Sequence, residues 1–292
     1  MISLDQNGDN VPELQMLLAD LSPGDARSAA LDLAQFKTTR VRSAAHPLFH
    51  QIYEFLWQEF GGRGELETRE VIEQRLGWRP EKKLNGAAML YEMIAVTSGE
   101  TLIAARDHTA IVNCNKMRGG AVVHLSHVLV DPAWRRTGLS GWLRAWPIQT
   151  ARECLRRSGD GERSNVILAG EMEPPDTSRP DRMNRLHAYE RAGFVKPDPS
   201  VVPYFQPDFR APEEIDRAGG PSPLSMVLML RHVGRELEPH IAGDDLRDVV
   251  ECLYHMYETT FRDQDMRGVW ENLNRFPADD AKVKIKLMKP TE

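Results

Sequence analysis

The sequence predicts a mixed α/β fold: a central, mostly antiparallel sheet with helices on both faces, and an extension at each end. Three observations carry this. The apolar period changes at Ala87 from helical spacing to runs rich in β-branched residues. Short Gly or polar links separate the next three runs, which implies antiparallel neighbours. Beyond Val130, helical and strand-like segments alternate, as in a sheet covered on both faces.

Residues 1–35 read as a helical N-terminal extension without chemistry of its own. Leu14, Leu17, Leu18 and Leu21 fall at helical spacing, Ser22-Pro23-Gly24-Asp25 breaks the pattern, and a second helix is expected over 26–35. A short strand fits Phe36 to Val41. After Pro47, the stripe Phe49, Ile52, Tyr53, Leu56, Trp57 and Phe60 predicts an amphipathic helix that Gly61-Gly62 ends. A further helix fits Thr68 to Leu76. Strands are expected at Met89 to Val96, Thr101 to Cys114 and Ala121 to Val130, the last apolar on both faces like a central strand.

Leu139, Trp142, Leu143, Trp146, Thr150 and Cys154 form the stripe of the next helix. Pro147 inside it removes the hydrogen bond to the Leu143 carbonyl and predicts a kink. A buried strand follows at Asn165 to Ala169, then a Pro-rich loop over Glu171 to Asp181, then a helix from Arg182 to Arg191 stopped by Gly193. Phe194-Val195, Val201 to Phe209 and Leu224 to His232 read as strands. The core domain spans about 36–235. Residues 236–292 form a mainly helical C-terminal extension with an edge strand over 282–288, whose apolar positions would cover a sheet edge or build a homodimer contact.

The chain has 292 residues, with 41% hydrophobic and 27% charged, an ordinary balance for a soluble protein. A net charge of −6 leaves no global basic surface, so no nucleic-acid partner is expected. No run approaches the ~20 apolar residues of a membrane span. Cys114, Cys154 and Cys252 are widely spaced, without metal-ligand spacing, and their sparse, odd count fits a reducing cytoplasm. The expectation is a cytoplasmic protein with neither a metal nor a membrane partner.

The most informative stretch is Val128-Leu-Val-Asp-Pro-Ala-Trp-Arg-Arg-Thr-Gly-Leu-Ser-Gly141. A strand runs through a turn into a helix N-terminus. Such a junction gathers unpaired backbone N–H groups that suit a phosphate or pyrophosphate. A strand-turn-helix connection that binds nothing is the competing interpretation.

Arg135-Arg136-Thr137-Gly138-Leu139-Ser140 at this turn resembles the pyrophosphate loop of the GNAT family of acyl-CoA-dependent N-acyltransferases, with Ser140 replacing the usual Gly or Ala. Leu186-His187-Ala188-Tyr189-Glu190-Arg191-Ala192-Gly193-Phe194 is similar to the family's helix end carrying a tyrosine before Gly-Phe. The resemblance implies acetyl-CoA as co-substrate. It places Val128, Leu129 and Val130 against the pantetheine arm. Arg135, Arg136, Thr137, Gly138, Leu139, Ser140 and Gly141 fall at the pyrophosphate. Arg182 stands where relatives carry a cofactor-contacting Asn.

The implied function is transfer of an acetyl group to a primary amine by direct attack in a ternary complex. The acceptor would be a small-molecule or peptide amine. A non-catalytic acyl-CoA-binding module is the alternative. Tyr189 falls at the position of the general acid. Glu171, with Glu173 behind it, is the expected base, since an ammonium of pKa ~10.4 must lose its proton before attack. His127 is a further relay candidate, whereas His124 and His187 read as packing or surface residues. Arg144, Arg152, Arg156 and Arg157 read as solvated charges.

Overall fold

A computed structural model describes residues 3–4, 10–27, 35–113, 120–159, 165–276 and 282–292. At the N-terminus, β1 (Ser3–Leu4) pairs with β2 (Asn10–Val11), and a short helix α1 (Pro23–Ala26) follows. The core contains β3 (Lys37–Val41), α2 (Phe49–Phe60), α3 (Arg69–Leu76), β4 (Ala87–Ser98), β5 (Thr101–Asn113), β6 (Gly120–His124) and β7 (Val128–Val130). It continues through α4 (Leu139–Ser158), β8 (Asn165–Met172), α5 (Pro180–Arg191), β9 (Lys196–Pro197), β10 (Tyr204–Gln206), α6 (Pro212–Arg217) and β11 (Leu224–His232). β12 (His240–Ala242), α7 (Gly243–Tyr257), α8 (Asp263–Leu273) and β13 (Lys284–Met288) complete the chain.

The main sheet runs β10-β11-β8-β6-β5-β4-β3, with β7 also pairing β5. Every pairing is antiparallel except β6 with β8, which are joined by the α4 crossover. Side chains alternate across β4. Met89, Tyr91 and Met93 face the core under α2, α3, α7 and α8, while Ala88 and Leu90 face the core under α4 and α5. The expected fold class is therefore present.

Several local expectations are corrected. Residues 14–21 form no α-helix. They lie along α4, with Leu14, Met16 and Leu21 packed near Trp142 and Trp146, while Leu18 is 70% exposed. A helix would have put all four leucines on one face, but only one side of this segment has a surface to cover. The helix expected over 26–35 falls mostly on 28–34, outside the described residues, as do Cys114 and the end of its strand. The strand over 121–130 is broken at Leu125-Ser126-His127. β13 is the middle of a three-stranded sheet, β12-β13-β9, rather than an edge. Helix α8 was absent from the prediction.

Helix α4 continues through Pro147. The Leu143 carbonyl that Pro147 cannot serve accepts instead from Arg106 Nη1 at 3.0 Å. A fully buried arginine on β5 thus answers a proline on the helix above it.

Two buried polar clusters tie strands to helices. On the α4 face, Arg40 of β3 and Arg42 just after it meet Glu92 of β4 and Glu153 of α4, and Thr150 donates to Glu92 at 2.6 Å. Burial pushes Glu92 up, yet Arg40 and Arg42 hold it well below the usual carboxylate range.

On the opposite face, Asp107 Oδ1 pairs with His127 Nδ1 at 3.0 Å, Tyr91 donates to Asp107 at 3.0 Å, and His127 Nε2 meets the Glu65 carbonyl at 2.8 Å. Burial pushes His127 down, but Asp107 raises it to about 9. A folded pKa above the ordinary value of ~6.5 stabilises the protein fully below that pH. That stability is lost as pH rises through 9. Urea midpoints measured from pH 6 to 10 should fall across this window, and the His127→Gln variant should lose the dependence. A flat wild-type profile would refute the assignment.

Candidate active site

The break between β6 and β7 shapes the site. β6 lies between β5 and β8, and its last link to β8 is Leu125 N–H to the Ala169 carbonyl at 2.7 Å. Beyond this point β7 stays on β5, with Ala105 opposite Leu129, whereas β8 continues to Met172 beside β11. The two parallel strands therefore part. The edge of β7 at Val128, Leu129 and Val130, and the facing edge of β8 at 170–172, are left without each other as partners.

The wedge has room beside it. Gly170 is buried, yet a Cβ placed on it meets nothing within 4 Å. By alternation it faces the α4–α5 side, between Ala169 and Glu171, which turn toward α7. Open space at a buried glycine next to two parted strand edges would suit a narrow extended chain.

At the mouth of the wedge lies the turn into α4. Asp131 caps a short turn by accepting from Ala133 N–H at 2.8 Å, and Arg135 Nε donates back to the Val130 carbonyl at 3.2 Å. Arg136 has φ +66° and Gly138 φ +89°, so the chain reverses twice into the left-handed region before the helix starts. Thr137 Oγ1 anchors the turn on the Trp134 carbonyl at 2.8 Å. Leu139 is buried, while Arg135 and Arg136 are exposed. Gly141 N–H closes the first helical turn on the Gly138 carbonyl at 3.0 Å, and the other N–H groups of that turn precede any i−4 acceptor in the helix.

This turn has an unforeseen neighbour. A Cβ on Gly141 would sit 3.1 Å from Asp25 Cβ. Asp25 binds Arg144 through Nη2 at 2.5 Å and Nε at 3.1 Å. Arg144 in turn stacks over the Tyr189 ring, with Cζ 5.7 Å from its centroid. Gly24 rests on the end of α5, where a Cβ would lie 1.6 Å from the Arg191 carbonyl oxygen. The N-terminal segment is thus wedged between α4 and α5. Arg144 and Arg157 are paired with Asp25 and Glu81 and largely covered, not solvated as expected, whereas Arg152 pairs with Asp20 and stays 40% exposed and Arg156 is exposed.

Tyr189 is buried on α5, edge-on to Phe194 at 4.9 Å. It also faces Arg106, which lies opposite Val128 in the β5–β7 pairing. Arg106 is fully buried. Burial lowers its pKa, and Tyr189 is the leading opposing influence. Sequence reasoning missed Arg106. The visible signal was the polar run Arg106-Asp107-His108 in the middle of an apolar strand.

The two expected carboxylates part company. Glu171 is enclosed between β6, β10 and α7. Tyr204 donates to its Oε1, while His124 at 3.0 Å, Gln206 at 2.9 Å and Tyr257 at 2.5 Å reach its Oε2. Burial pushes its pKa up, but these partners bring it below the usual value. It is closed to direct contact with an acceptor amine. Glu173 binds Arg182 at 2.8 Å and Arg185 at 2.5 Å, and Arg182 also reaches the Pro174 carbonyl at 3.2 Å. Arg182 and Glu173 therefore hold each other across the loop. His124 belongs to the Glu171 cluster, His127 to the Asp107 cluster, and His187 is exposed.

Mixed pairing, with β6 and β8 parallel and then parted, leaves an open edge on β7 at Val128, Leu129 and Val130, where the resemblance sets the pantetheine arm. The mixed, mostly antiparallel sheet with helices on both faces agrees with the fold class expected from the sequence.

No family model matches the chain, and no curated protein does. Among solved structures, it is similar to a GNAT family acetyltransferase from Elizabethkingia anophelis with acetyl-CoA bound, at 13% identity over 68% of this chain and 98% of that one, with a TM-score of 0.37. Ard1 from Thermoplasma volcanium is 16% identical over 68% and 98% of the two chains, with a TM-score of 0.38. An aminoglycoside acetyltransferase from an uncultured soil sample is 13% identical over 53% and 87%, with a TM-score of 0.33.

The expected cofactor residues 128–130 and 135–141 follow one another along β7, the turn and the start of α4, with Val130, Leu139 and Gly141 buried. Tyr189 lies beside them on α5. Glu171 lies across the sheet, and Arg182 and Glu173 lie at the loop. Among the described residues, no group of three His, Cys, Asp or Glu side chains is placed to hold a metal ion, and no helix is long and apolar enough to cross a membrane.

Proposed function

We propose that the chain is an acetyl-CoA-dependent N-acetyltransferase that moves an acetyl group to a primary amine on a small molecule or peptide. The observation that carries this is the wedge: two parted strand edges, the empty space beside Gly170, and a helix N-terminus at the mouth. An extended amide-bearing arm would pair with the backbone of Val128, Leu129 and Val130 as a substitute strand. N–H groups between Arg136 and Gly141 would receive the pyrophosphate, with help from the helix dipole.

The amine attacks the thioester carbonyl carbon directly, with both substrates bound. A backbone N–H near Val128 would stabilise the oxyanion. Tyr189 is the proposed proton donor to the leaving thiolate. In this reading Arg182 and Glu173 shape the rim and Arg182 contacts the cofactor only after leaving Glu173. The chain is expected to act in the cytoplasm without a metal. Enclosure of Glu171 favours a second reading, a module that binds acyl-CoA without turning it over.

Incubation with acetyl-CoA and a panel of primary amines should release free thiol. Tight acyl-CoA binding without thiol release across the panel would favour the module. Calorimetry showing no acyl-CoA binding would overturn both.

A further inference from the structure

We propose that Ser126, His124 and Glu171 form a proton relay whose outer end, Ser126, touches the attacking amine. This rests on the acyltransferase reading and supplies the base that enclosure of Glu171 otherwise denies it. Ser126 Oγ lies 3.1 Å from His124 Nδ1, and His124 Nε2 lies 3.0 Å from Glu171 Oε2. The chain of contacts begins where β6 and β7 break. Ser126 follows the last residue linked to β8 and is half-buried, whereas His124 is 5% exposed. Ser126 and Gln206 are both half-buried members of the network, and Ser126 is the one at the break between β6 and β7.

The surroundings fix the direction of transfer. A carboxylate at Nε2 accepts a hydrogen bond, so His124 carries its proton there and leaves Nδ1 to accept from the Ser126 hydroxyl. The Ser126 oxygen is then free to accept from an amine. The groups facing Glu171 are Tyr204 and Gln206 from β10, Tyr254 and Tyr257 from α7, and His124 from β6. The Tyr257 ring also stands edge-on to His124, 5.8 Å away. His124 and Glu171 are positioning residues, and α7 of the C-terminal extension supplies part of their setting.

In the step, the amine nitrogen forms a bond to the thioester carbonyl carbon. The nitrogen's surplus proton passes to Ser126 Oγ, the Ser126 proton to His124 Nδ1, and the Nε2 proton to Glu171. The C–S bond breaks, and the thiolate takes the Tyr189 proton. Solvent then carries the proton from Glu171 back to Tyr189, so charge and atoms balance.

The test is steady-state kinetics of the full chain with acetyl-CoA and an accepted amine, beside calorimetric acetyl-CoA titration. Ser126→Ala should lower kcat about 100-fold, within the range for loss of a general base, with the acetyl-CoA Kd within about twofold of wild type on that same ground. Its kcat should rise in proportion to hydroxide, where wild type reaches a plateau. Ser126→Thr, which keeps the hydroxyl, should restore most activity. An active wild type whose Ser126→Ala variant keeps both kcat and pH profile overturns the relay alone. A wild type that binds no acyl-CoA overturns the acyltransferase reading and the relay with it.

Discussion

Replacing Gly170 with valine is expected to abolish acyl-CoA binding while leaving the protein folded. The Cβ of the new side chain enters space with no neighbouring atom within 4 Å. Glycine inside a strand adds nothing to packing, so the melting temperature should hold or rise. That same space lies beside the parted edges of β7 and β8, where the proposed arm would run. Branched carbons there would block it. We expect Kd to rise at least about 100-fold, equivalent to ~2.7 kcal/mol. Calorimetric titration beside a thermal melt checks both halves. Unchanged affinity in the folded variant would remove the wedge as the binding channel.

The second large effect is on stability. Glu92 is fully buried and receives Arg40, Arg42 and Thr150. Glu92→Gln removes the charge that both guanidinium groups face. Breaking a buried pair from one side typically costs about 3–5 kcal/mol, because the remaining charge stays desolvated. Glu153 also contacts both arginines and offsets part of this. Denaturant unfolding should place Glu92→Gln about 3 kcal/mol below wild type. A loss under about 1 kcal/mol would mean that the network relaxes or admits water.

The two motifs were legible because each is local. A strand-turn-helix with Gly138 in the left-handed region and a helix ended by Gly193 are specified by neighbours in sequence. The catalytic surroundings depend on distant partners. His124 reads as a packing residue until β8 brings Glu171 beside it, and α7 brings Tyr257 from 133 positions away. Arg106 has a visible reason only once Pro147 has left the Leu143 carbonyl unserved.

The break at Ser126-His127 had a signal, two polar residues in an apolar run, but a central strand with two buried faces fitted the same letters. The N-terminal leucines met a helical template equally well. Leu14 and Leu21 pack along α4, whereas Leu17 and Leu18 stay exposed. Helix α8 was overlooked although Met266, Val269 and Leu273 recur at helical spacing and are buried.

The seat of the N-terminal segment also bears on the order of folding during synthesis. Gly24 needs the end of α5 beneath it, and the Asp20 carbonyl accepts from Arg231 Nη2 at 3.1 Å, across 211 positions of chain. This segment is made well before β11 and therefore cannot find its place until β11 has emerged. Contacts of such separation form late, because closing the long loop precedes any reward. Until then Leu21 and the tryptophans of α4 stand uncovered, and a nascent chain stalled before residue 231 should be captured by chaperones that recognise exposed apolar surface.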